Sequence, residues 1–303
     1  MELIRPGTHY DFIGKKKFAI WVSAAAILIS LGSLFFHGGL RYGVDFAGGL
    51  LFQIKFLKGV EISEVRKTLE EMGSKDVMVQ KFGAENEFLI RLEKSSEDLS
   101  DISKLIQASL QEKFKDQGLE IRRAELVGPK VGKDLKSKAL WAVGLSFLGI
   151  LIYVAWRFKQ VGYGLGGIVA LIHDVIITFG AISLFNLEYS LTLMAVILTI
   201  IGFSVNDTIV IFDRVRENIK KMRKEKLETV FNISVNETLG RTILTSGTVM
   251  MVVLILFFFG GPVIHDFTTC LIVGLVSGTY STIYVASPVV LFWEKNISKR
   301  KRP

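Results

Sequence analysis

Asp207 and Arg241 are ionisable residues set against apolar sequence. Asp207 follows Leu193 to Asn206, a stretch without a charge, and Arg241 opens the next apolar run. A charge at membrane depth costs several kcal/mol unless it is paired, so the chemistry these residues suggest is a proton or ion path. Asn206 and Thr208 flank the aspartate and Ser204 precedes it by about one helical turn, which crowds polar groups together. A second apolar run, Gly167 to Phe179, encloses His173 and Asp174. Either could relay a proton, and hydrogen bonding between helices is the competing reading for His173. Neighbouring residues on a helix point about 100° apart, so the two need not share a partner. Asp213 and Arg214 read as interface charges. The hydroxyl residues Ser246, Thr248, Thr279, Ser281 and Thr282 read as packing groups between helices.

Other chemistry is excluded. The sequence holds no nucleotide-binding loop, nucleophile elbow or zinc signature, so an enzyme is not expected and no cofactor is called for. His265 and Asp266 could be metal ligands or proton-entry groups, but two residues do not make a metal site. Cys270 is the single cysteine, which rules out an intrachain disulfide.

Residues of this kind must be positioned by helices that cross a bilayer. Apolar runs of about twenty residues, the length that spans the hydrocarbon core, lie near Phe18 to Phe36, Ala139 to Trp156, Val161 to Phe185, Leu191 to Phe212, Ile243 to Val263 and Phe267 to Trp293. The first exceeds a signal-peptide core of about 7–15 residues and has no clear cleavage site after it, so it reads as a retained anchor. Basic residues set the orientation. Arg5, Lys15 to Lys17, Arg157, Lys159, the series Arg214 to Lys226 and the tail Lys295 to Arg302 fall on one side. The loops Asn186 to Ser190 and Gly260 to Asp266 carry no Lys or Arg, which predicts both termini inside. Counting from the start of its run, Asp207 lies roughly 24 Å down, towards the inner side.

Between the first two runs lies a segment too long and too charged for a loop. It contains as many acidic as basic residues, so the net charge of +8 belongs to the inner segments. That excess suits anionic lipid head groups and requires no nucleic acid. Periodicity predicts strands at Leu51 to Leu57, Val77 to Phe82, Phe88 to Leu92 and Leu119 to Val127, a turn at Gly83 to Asn86, and helices at Ile62 to Met72 and Leu99 to Phe114. The order βαββαβ is that of a ferredoxin-like α+β domain, which reads as a docking or substrate-contacting module. The expected division is 1–36, N-terminus and first helix; 37–136, extracytoplasmic domain; 137–293, five further helices with a basic loop at 213–242; and 294–303, a basic tail. Two glycine-rich connections flank the domain, with Gly43, Gly48 and Gly49 leading in and Gly128, Pro129 and Gly132 leading out. They are candidate hinges or rigid turns.

The stretches Tyr42 to Gly49, Val127 to Leu135, Leu171 to Val175, Gly202 to Asn218, Ser234 to Gly247 and Gly274 to Pro288 together resemble the SecF family. This is the smaller membrane subunit of the SecDF protein-export complex, related to the resistance-nodulation-division transporters. The resemblance implies a bacterial inner-membrane protein that pairs with SecD and supports Sec-dependent translocation of preproteins through SecYEG. SecA and YidC are further expected neighbours. It implies that the proton motive force, or sodium in some members, drives the process. It assigns Asp207 to the membrane aspartate of the family's Asn-Asp-Thr motif, Arg241 to the arginine opening the fifth helix, and Asp174 to the His-Asp pair of the third. A scaffold that moves no ions and a small-molecule exporter of the same superfamily are the alternatives. With no SecD half in this sequence, the opposite wall of an ion path would belong to another subunit.

Overall fold

The structure, a computed structural model, describes residues 9–71, 77–82, 86–92, 99–158 and 161–298. Arg5, Met72, the turn residues from Gly83 to Glu85, Lys159 and the tail from Lys299 to Arg302 lie outside the described residues. The chain runs through α1 (Lys16–Phe36), β1 (Arg41–Tyr42), α2 (Val44–Ala47), β2 (Gly49–Phe56), α3 (Ile62–Glu71), β3 (Val77–Lys81), β4 (Glu87–Leu92), α4 (Leu99–Lys113) and β5 (Leu119–Val127). Next come α5 (Pro129–Phe158), α6 (Val161–Leu184), β6 (Glu188–Tyr189), α7 (Leu191–Lys221), α8 (Leu227–Phe259), α9 (Pro262–Ser281) and α10 (Ser287–Trp293). A π-helical turn, Thr282–Ala286, joins α9 to α10 in one continuous rod.

The inserted domain forms where apolar residues alternate. Leu50, Phe52, Ile54 and Phe56 all point to one face of β2 and are buried. Val65 and Leu69 on α3, and Ile106 and Leu110 on α4, recur at helical spacing and close over that face. The four long strands make one sheet in the order β3-β4-β2-β5, every neighbouring pair antiparallel. β1 and β6 form a separate two-residue parallel pair, Arg41 opposite Glu188 and Tyr42 opposite Tyr189.

Among the described residues six helices are long and apolar enough to cross a membrane. Three of them form the centre: the most apolar windows of α6, α7 and the α9–α10 rod are each 56% buried, against 11% for α5 and α8. Glycines set the spacing between helices: a Cβ on Gly180 would strike Ser30 of α1, one on Gly166 would strike Val290 of α10, and one on Gly274 would strike Ile200 of α7.

The helices run past the apolar stretches. The region 213–242, expected as a loop, is mostly the ends of α7 and α8, with only Met222 to Lys226 between them. Arg214 reaches Glu237 at 2.6 Å, and Asn218 bonds both Ser234 and Glu237, so polar side chains zip the two extensions together where lipid no longer does. The exit from the domain, expected as a connection, is the first turns of α5.

Candidate functional site

Asp174 sits midway along α6 and is wholly buried. Its Oδ2 accepts from Ser204 Oγ of α7 at 2.7 Å and from Ser281 Oγ at 2.7 Å, and its Oδ1 accepts from Ser277 Oγ at 2.6 Å. His173 Nδ1 lies 3.0 Å from the same Oδ1, so the adjacent pair does meet, despite diverging backbone directions. Four donors from three helices therefore converge on one carboxylate. Both carboxylate oxygens are thereby occupied, and the carboxylate ties α6 to α7 and α9.

Asp207, on the next helix, is also buried but is served differently. Its Oδ2 lies 3.4 Å from Ser246 Oγ of α8, a long contact, and its Oδ1 has no partner among the described residues. Thr279 of α9 donates to Ser246 at 3.1 Å, so the contact ends a short relay rather than a cage. The two carboxylates are linked through α7: Ser204, which holds Asp174, stands one turn before Asp207, and Thr208 accepts no apolar isolation either, donating to Ser204 O and to Thr282. The π turn that follows Ser281 begins at that Thr282, and such turns recur at functional sites.

The other expected residues fall around this pair. Arg241 is exposed on α8 and forms no ion pair with Asp207; it acts on the carboxylate only as a nearby charge. Asn206, on α7, is exposed as well. The buried Nε2 of His173 has no partner among the described residues, and its ring stacks against Tyr280, whose hydroxyl donates to Ala19 O of α1. Sequence reasoning missed Ser277 and read Ser281 as packing. Their four-residue spacing puts both on one face of α9, which was the available signal. No cluster of three metal-ligating side chains occurs among the described residues.

At the end of the bundle bearing the inserted domain, a cavity of about 370 Å³ separates the open face of the sheet from the helix turns. Arg41, Asp45, Gln53, Arg123, Glu188 and Asp266 line it with both signs of charge. The candidate hinge glycines surround this junction. Gly43 donates its N–H to Tyr189 O at 2.9 Å, and Gly48 and Gly49 take positive φ of 79° and 129°. Gly128 has open space around it, Pro129 begins α5, and Gly132 lies so close to Phe46 O that a Cβ would approach to 2.9 Å.

Comparison with known proteins gives a consistent answer. The family described as "Protein export membrane protein SecD/SecF, C-terminal" matches residues 106–296, and the "SecD/SecF GG Motif" matches 33–58. The protein translocase subunit SecF of Endomicrobium trichonymphae is 41% identical, covering 96% of this chain and 93% of its own length. That of Calditerrivibrio nitroreducens is 43% identical over 99% of both. The crystal structure of SecDF from Thermus thermophilus, titled a translocon-associated membrane protein, superposes with a TM-score of 0.82 at 34% identity over 96% of this chain. The chain spans only 39% of that SecDF polypeptide. A SecDF structure in a super-membrane-facing form gives a TM-score of 0.70 at 35% identity. With family matches at both ends of the inserted domain and relatives aligned from end to end, the chain belongs to the SecF family of protein translocase subunits.

Proposed function

We propose that this chain works with a SecD subunit to couple the proton motive force to late steps of Sec-dependent preprotein translocation. The observation that carries the reading is the contrast between the two buried carboxylates. Asp174 is saturated with donors, whereas Asp207 keeps one oxygen without a partner among the described residues. A carboxylate so placed is stable in apolar surroundings as a neutral acid or beside a cation, so it is the group that exchanges a proton, or in a sodium-driven variant a sodium ion. Asp174, Asn206, His173 and Arg241 form its surroundings. Asn206 and Arg241 face outward at membrane depth, where polar groups on lipid are costly, and this supports a partner subunit as the second wall.

The antiparallel sheet order supports a ferredoxin-like module, and the mixed-charge cavity beneath it supports contact with the translocating chain. The left-handed backbone at Gly48 and Gly49 supports a joint there. In this reading the protein lies in the inner membrane with both termini inside, near SecYEG, SecA and YidC, and its basic helix ends meet anionic lipids. The saturated cage around Asp174 favours one rival, a scaffold whose polar groups merely hold helices together.

The test is co-reconstitution with SecD in proteoliposomes and measurement of ion flux after a pH jump. Flux should fall to the protein-free baseline in Asp207→Asn, and strongly in Arg241→Met, with assembly intact. Full flux in both variants would sink the reading and leave the scaffold.

A further inference from the structure

Besides its contacts with α5, the inserted domain is fastened to the membrane bundle at the turn between the two helices that carry Asp174 and Asp207. That turn is itself rigid. Leu187 N donates to Ile182 O and Asn186 N to Ser183 O, with Asn186 in the left-handed conformation at φ 53°, the pattern that closes a helix end with both backbone bonds made. Tyr189 then stacks on Phe46 of α2 at 5.3 Å and meets Phe179 of α6 edge-on. Asp45 of α2 accepts the N–H of Leu191 at 2.9 Å, which satisfies one of the free donors that open α7. From the sheet itself, the buried Arg91 of β4 forms an ion pair with Glu188.

We infer that Asp45 and the Arg91–Glu188 pair are positioning residues: they make the inserted domain and the outer end of α7 move as one body, and so set the surroundings of Asp207. The geometry requires this of any rigid displacement. Gly48 lies between α2 and Gly49, the first residue of β2, so the sheet could turn about this junction were Arg91 not tied to Glu188. With that tie in place, tilting the sheet pulls on the α6–α7 turn. From Leu191 to Asp207 the helix rises roughly 24 Å, a stiff lever whose far end bears the underpaired carboxylate. On the other side of α2, Gly132 of α5 abuts Phe46 O and Lys136 lies 3.9 Å over the Tyr42 ring, which blocks α2 from slipping sideways.

The inference rests on the proposed role of Asp207 as the exchanging acid, and its test separates the two. The full chain is reconstituted with SecD in a Cys270→Ala background. Modification of Asp207 by dicyclohexylcarbodiimide, which attacks protonated carboxyl groups in apolar surroundings, is followed against pH. Spin labels at Glu112 of α4 and Lys220 of α7 report the distance between domain and helix. Combining Asp45→Ala with Glu188→Gln should broaden the distance distribution and shift the pH midpoint of Asp207 modification by about half a unit, a roughly threefold change in the protonation equilibrium. Asp45→Asn, which keeps an acceptor, and the charge swap R91E/E188R should restore both readings. Identical Asp207 profiles in wild type and double variant, including no modification in either, would overturn the inference even if the distance broadens. Ion flux that survives Asp207→Asn overturns the underlying reading instead.

Discussion

The inserted domain and the membrane bundle are built with opposite polarity. In the domain Phe52, Phe56, Phe88 and Ile90 are buried, and the charged residues Lys113 and Glu71 are on the outside. In the bundle Asp174, Ser204, Ser281 and Thr282 are at the centre, while Phe18, Trp21, Trp141 and Phe259 face outward. Water drives apolar groups inward in the first case. In lipid that drive is absent, and helices are held by close packing and polar bonds. Polar groups at the centre of the domain would be a defect; at the centre of the bundle they are the adhesive and the site.

The largest effect that tests this contrast is in the domain. Phe52→Ala should destabilise it by about 3–5 kcal/mol, because a large side chain leaves a cavity the sheet cannot close. Hydrogen exchange across β2 in the full-length protein should rise sharply, while α6 and α7 keep their protection. Next comes the inverse experiment in the bundle. Asp174→Leu adds apolar surface, which would suit a water-driven core, yet it should lower stability by about 2–4 kcal/mol because three serine hydroxyls lose their acceptor. Thermal unfolding in detergent measures it, and a stabilised variant would break the comparison.

These two substitutions also mark what could be read in advance. The Phe52 face follows from the alternation of Phe52, Ile54 and Phe56 with Gln53 and Lys55 along β2, and the strands and helices of the domain fall within about two residues of their predicted positions. The six membrane helices follow equally from apolar runs. The cage around Asp174 does not, because its three serine donors come from α7 and α9, far from it in sequence, and apolar neighbours give no sign of which way a serine points. Arg241 was legible as a charge at the end of an apolar run, but its outward direction depends on how α8 packs. The helix extensions at 213–242 were hidden for a related reason: hydropathy marks where lipid ends, and the bonds of Arg214 and Asn218 carry the helices further. The short β1–β6 pair joins residues far apart in sequence, so no local pattern marks it.

Single hydroxyl deletions sharpen the comparison further. Ser277→Ala removes one donor from Asp174 without orphaning a second group, so its effect should be near 1 kcal/mol, within the range found for polar contacts between membrane helices. Ser246→Ala, whose contact with Asp207 is long, should cost less in stability than Ser277→Ala. Equal losses in the same thermal assay would mean that the two carboxylates are held alike.

The smallest effect lies on the domain surface and runs on a different physical term. Lys113 Nζ bonds Glu71 at 2.6 Å between α4 and α3, and that hydrogen bond, helped by the lysine charge, holds the Glu71 carboxyl below its ordinary range. A folded-state value below the unfolded one stabilises the fold above the unfolded value and loses that contribution as pH falls through the folded one. Lys113→Met should therefore lower the domain's resistance to unfolding slightly at pH 7, and the difference from wild type should vanish in acid. Both residues are about half exposed, so about 0.5 M salt should also erase it, since the screening length then falls to a few ångströms. The loss caused by Ser277→Ala should survive the same salt, because no ion reaches a donor buried between helices. A salt response at Ser277 and none at Lys113 would reverse the assignment of screened and unscreened polar bonds to the two halves of the molecule.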